Sequence, residues 1–155
     1  MRRLAIPMMV LIILFGSALL GVRASEAQTY VPIDYNALHQ KFGMTVRASA
    51  INPAISSDQV KTIASTLPEY SPNGNVHYEL VHMTYPGFGC FSQIALAKDP
   101  KLKRDGYIND LPVWLISFQG LRIPSSSRKT TVYDHETVYV IDAASGEELL
   151  GFNYR

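Results

Sequence analysis

The chain has 155 residues, 47% of them hydrophobic, with 14 Lys+Arg against 13 Asp+Glu and a single cysteine. The near-neutral balance argues against nucleic acid or an anionic surface as the main partner. One cysteine excludes an intramolecular disulfide framework, so packing must supply the stability.

The N-terminus reads as a targeting segment. Arg2 and Arg3 precede an uncharged run from Leu4 to Val22, and Ser25-Glu26-Ala27 has the small-x-small form of a cleavage site. This predicts a signal peptide over residues 1–27, and a protein that is secreted or held at the extracytoplasmic face of the membrane. The run of 19 residues approaches the ~20 that span a bilayer, so the alternative is an uncleaved N-terminal membrane anchor. Pro7, Gly16 and Gly21 weaken such a helix. On either reading the membrane is met only through this segment. Removal of residues 1–27 takes Arg2, Arg3, Arg23 and Glu26 with it, leaving 128 residues with 11 basic and 12 acidic side chains, a net charge of −1. That length suits one domain with a real core.

Residues 28–54 form an N-terminal lead and first strand. Tyr35 to Phe42 predicts a short helix stopped by Gly43, and Met44 to Ile51 a strand broken by Asn52-Pro53. Ser56 and Gln59 then have the form of a capping box, and Val60, Ile63, Ala64 and Leu67 make one apolar stripe ended by Pro68. Val76 to Tyr85 predicts a strand with Val76, Tyr78, Leu80 and His82 on one face and His77, Glu79, Val81 and Met83 on the other.

Residues 87–111 read as an insert, with a short extra strand over Phe91 to Ala97 and a polar solvated loop from Lys98 to Asp110. Cys90, between Phe88 and Phe91, reads as a buried small hydrophobe, the alternative being a free thiol able to pair between chains. Pro112 to Gly120 predicts a strong strand with Trp114, Ile116 and Phe118 on its core face, and Arg122 to Asp134 a polar hairpin connection. The last segment, ETVYVIDAASGEELLGFNYR, reads as strand, tight turn, strand. Asp142 accepts from turn amides, and Gly146 takes the left-handed conformation. Local connections throughout imply an antiparallel sheet with one main helix on one face, an α+β architecture.

The terminal hairpin, at Val140, Ile141, Asp142, Ala143, Ser145, Gly146, Glu147 and Leu149, resembles the C-terminal hairpin of the PepSY family, and the capped stretch Ser56-Ser57-Asp58-Gln59-Val60 resembles the start of its helix. The resemblance covers residues 55–85 and 112–153, within a PepSY-like unit over 55–155 whose 87–111 link is much longer than is typical. It implies a PepSY/cystatin-like fold and a non-catalytic role as regulator or inhibitor of a peptidase. An exposed sheet edge or face is then expected to recruit a segment of the partner by strand addition.

No catalytic, cofactor-binding or metal-ligating residue is assigned, and the chain is not read as an enzyme. His77 and His82, five apart on one strand, fall on opposite faces. Asp134-His135-Glu136 precedes a strand, where polar residues are expected, and no second ligand cluster has metal spacing. Ser125–Ser127 with His135 and Asp134 are adjacent loop residues without the rigid frame of a triad. Glu147 and Glu148 read as solvated charges on opposite sides. A hydrolytic pair would have to converge across roughly 5–9.5 Å. Pro86-Gly87-Phe88-Gly89 is too short of glycine to cradle a phosphate. The implied partner is another extracytoplasmic protein, a peptidase above all. The alternatives are a membrane-anchored structural or assembly component of the cell envelope and, more remotely, a small hydrolase.

Overall fold

The computed structural model describes residues 30–124 and 132–155. The predicted signal segment and Ser125–Ser127 lie outside the described residues. Among the described residues no helix is long and apolar enough to cross a membrane.

Helix α1, Tyr35–Phe42, begins where Asp34 accepts the Ala37 amide at 3.0 Å and stops at Gly43, whose φ is 72°. Both ends follow from local chemistry, an Asx cap and a left-handed glycine. Strand β1, Thr45–Ala48, is shorter than the predicted Met44 to Ile51. Beyond Ala48 the chain crosses to the other side of the sheet. The Ile55 amide donates to the Ala143 carbonyl at 3.0 Å, and Trp114 Nε1 donates to the Ile55 carbonyl at 3.0 Å. Helix α2, Ser57–Ala64, carries the expected capping box: Gln59 N donates to Ser56 Oγ and Ser56 N to Gln59 Oε1.

Strand β2, Asn75–Tyr85, is followed by two helices, α3 (Gln93–Lys98) and α4 (Pro100–Asp105), then by strands β3 (Ile108–Pro124), β4 (Tyr133–Asp142) and β5 (Glu148–Asn153). The strands lie in the order β1-β2-β3-β4-β5 and every neighbouring pair is antiparallel. The protein is therefore α+β, with an antiparallel five-stranded sheet.

The predicted strand alternation holds, and it divides the core in two. On one face Val60 and Ala64 of α2 pack on Trp114, Ile116, Phe118 and Ile141. On the other, Leu38 of α1, Ala95 of α3 and Leu102 of α4 join Val81, Val113, Leu115 and Val140. Each large apolar side chain so buried contributes about 1.5–3 kcal/mol relative to exposure. Helices therefore cover both faces, whereas one main helix on one face was expected.

Residues 87–111 supply two of the helices on that second face, and α1 is the third. Phe91 to Ala97 is not a strand: Ser92 accepts the Ala95 amide at 3.0 Å and starts α3. The predicted loop after Lys98 contains α4, capped by the buried Asp99, with Pro100 in its first turn and Gly106 (φ 73°) at its end. Cys90 is exposed, not buried. Its neighbours are occupied with one another: Tyr85 stacks on Phe88 and Phe88 packs edge-on to Phe91, at 6.0 and 5.3 Å between centroids.

The terminal hairpin behaves as its residues dictate. Asp142, fully buried, accepts from Ala144 N at 3.0 Å and Ser145 Oγ at 2.5 Å. Gly146, with φ 75°, lies against Ile55 and Ile63.

Candidate functional site

Helices pack on both faces of the sheet, and its edges carry backbone that no neighbouring strand pairs among the described residues. β1 pairs only with Val81 to Thr84 of β2. Among the described residues, Asn75 to Leu80 are paired with β3 on one side and with no strand on the other. An unpaired stretch of amides and carbonyls is a template for another strand. All six residues are half-buried, and Val76, Tyr78 and Leu80 extend the apolar layer under α2 to the brink of the sheet. The sheet's other edge, β5, exposes Glu148, Gly151 and Asn153.

The opposite side of this edge is polar. Tyr30 stacks on His77 with ring centroids 3.9 Å apart. The Tyr35 hydroxyl is buried without a hydrogen bond. Glu79 stands beside it, outside hydrogen-bond geometry; burial first, and then this carboxylate, hold the Tyr35 phenol well above the usual tyrosine range. Burial and then Glu79 push Tyr30 the same way. Glu79 itself belongs to none of the ion pairs among the described residues.

A second polar feature closes that face. Glu136, 1% exposed, accepts Ser117 Oγ at 2.5 Å and Gln119 Nε2 at 3.3 Å, and forms an ion pair with the Arg155 guanidinium. Gln119 and Arg155 then bind the N-terminal lead. The Gln119 amide exchanges two hydrogen bonds with the Val31 backbone, at 3.2 and 2.6 Å, and Arg155 donates to the Val31 and Pro32 carbonyls. A cavity of about 350 Å³ lies among Val31, Gln119, Gly120, His135, Glu136 and Arg155. Its charged groups are already satisfied by one another, so it is a clasp that holds residues 31–34 on the sheet.

The third cluster is exposed. Asp110, with φ 47°, receives Arg47 through both carboxylate oxygens at 2.7 and 2.9 Å, and His82 Nδ1 lies 3.3 Å from its carboxylate. Lys101 Nζ donates to its carbonyl at 2.8 Å, and its amide donates to Thr84 Oγ1 at 2.9 Å. The Arg47 guanidinium, more than any other neighbour, holds the Asp110 carboxyl below the usual range. These bonds hold the β2–β3 irregularity between Met83 and Tyr85.

His77 and His82 fall on opposite faces, as expected from the spacing. Asp134-His135-Glu136 does not precede the strand but lies within β4. His135 is exposed and its Nδ1 lies 2.8 Å from the Leu121 carbonyl, while Glu136 is buried, so the two side chains do not converge. Glu147 is not simply solvated: Lys98 Nζ reaches it at 2.7 Å and ties α3 to the terminal turn, whereas Glu148 is exposed. Trp114 is core. Among the described residues no three His, Cys, Asp or Glu side chains are grouped to hold a metal. Glu79 carried the one available signal that sequence reasoning passed over, a charge at an inward-alternating position beside Val81. Comparison with family models, with curated proteins and with solved structures finds no match to this chain.

Proposed function

We propose that this chain is a non-catalytic, extracytoplasmic protein-binding module, a PepSY/cystatin-like regulator or inhibitor of a peptidase, that captures an extended segment of its partner at the open edge of β2. The observation that carries this reading is that Asn75 to Leu80 have no strand partner on one side among the described residues, in a sheet with helices packed on both faces. Main-chain hydrogen bonds from such an edge supply affinity whatever the side chains, and flanking side chains supply selectivity. The hairpin and the helix cap that resemble PepSY modules are not part of this edge. Their part is to hold the sheet that presents it.

The test is capture of extracytoplasmic proteins by the immobilised protein and by an edge variant. The variant is His77→Pro or Tyr78→Pro, whichever residue directs its amide away from β3, so that the β2–β3 ladder survives. A partner held by the parent and lost by the variant supports the reading. A partner held equally by both, or no partner, contradicts it. Recovery of an intact Leu4–Val22 segment in the membrane fraction would favour the anchored envelope component.

A further inference from the structure

We propose that the β2 edge selects a segment in which apolar side chains alternate with basic ones, a lysine or arginine seating on Glu79. The proposal rests on the strand-addition reading above and gives it a ligand chemistry. A strand added beside Asn75 to Leu80 must send alternate side chains to the two faces of the sheet. On the α2 face its neighbours are Val76, Tyr78 and Leu80, which extend the layer of Trp114, Ile116 and Phe118. Apolar side chains there lengthen an existing core.

On the other face the neighbours are His77, already stacked under Tyr30, and Glu79. Glu79 is a half-buried carboxylate with no cationic partner among the described residues, two positions from His77 on the same face of β2. Removing a carboxylate from water without a counter-charge is unfavourable. A cation directly across the strand pair relieves that cost, and a like charge there adds to it.

Three acetylated, amidated octapeptides test this, with valine alternating with lysine, glutamine or glutamate, titrated into ¹⁵N-labelled protein. The lysine peptide is expected to shift the amides of Asn75 to Leu80 and to bind roughly tenfold tighter than the glutamine peptide, with the glutamate peptide weakest. Glu79→Gln should erase the lysine–glutamine difference, and Glu79→Lys should transfer the preference to the glutamate peptide. Equal affinities, or a lysine preference that survives Glu79→Gln, would overturn the basic specificity and leave strand addition standing. Failure of all three peptides to shift Asn75 to Leu80 would overturn strand addition at this edge, and the specificity with it.

Discussion

Tyr139 and Gly151 face one another across β4 and β5, and the tyrosine ring fills the space that a side chain at 151 would need. A Cβ added to Gly151 would lie 2.9 Å from Tyr139 Cε1 and 3.0 Å from Cδ1. The ring cannot easily yield, because its hydroxyl donates to Glu69 at 2.6 Å and it packs edge-to-face with Phe118. Gly151→Ala is therefore expected to destabilise the protein by about 1–3 kcal/mol, read by urea denaturation. In a Tyr139→Leu background the same alanine should cost less. An equal cost in both backgrounds would exclude the ring as the cause.

Arg155→Ala leaves Glu136 buried beside Ser117 and Gln119 without its cation. Because Arg155 is itself partly exposed, the expected loss is roughly 2–4 kcal/mol, toward the lower part of the range for broken buried pairs. Glu136→Gln added to Arg155→Ala should restore part of it. A double variant no more stable than Arg155→Ala would show that the pair's charge is not what the clasp depends on.

Alkaline pH should loosen the same region. Burial pushes the Tyr154 phenol up to about 12 from an ordinary 10.0, and Tyr30 and Tyr35 are raised as well. Between these values the unfolded chain has lost phenolic protons that the folded chain keeps. Stability is then complete below about pH 10 and falls as pH rises through the folded-state values. Thermal unfolding followed from pH 8 to 12, with phenolate absorbance alongside, checks this. Tyr154→Phe should make the decline shallower.

Cys90 is exposed in a chain otherwise free of cysteine. A thiol reagent should label the native protein at a rate close to that of the unfolded chain, and Cys90→Ser should change stability by less than about 0.5 kcal/mol. Labelling that waits on unfolding would contradict the exposed placement.

The sequence makes legible whatever is decided within a few residues. Gly43 ends α1, Ser56 and Gln59 box the start of α2, Asp142 and Gly146 build the last turn, and alternation sorts β2, β3 and β4 onto two faces. Helices α3 and α4 escape because six residues each are too few for an apolar period. Their caps were readable, Ser92 for one and Asp99-Pro100 with Gly106 for the other. Cys90 was misplaced because its aromatic neighbours pair among themselves, a tertiary choice that adjacency does not reveal. The open edge was illegible for a similar reason. It exists because β1 stops at Ala48 while β2 begins at Asn75, and register between strands is not a local property.

The central claim is that Asn75 to Leu80 form an edge open to another strand, and amide hydrogen exchange tests it most directly. In the free protein, alternate amides of this stretch should exchange quickly while their neighbours, bonded to β3, stay protected. With the valine–lysine peptide bound, those quick amides should slow by about a hundredfold. Unchanged exchange from Asn75 to Leu80, or new protection along Glu148–Asn153 instead, would contradict the account.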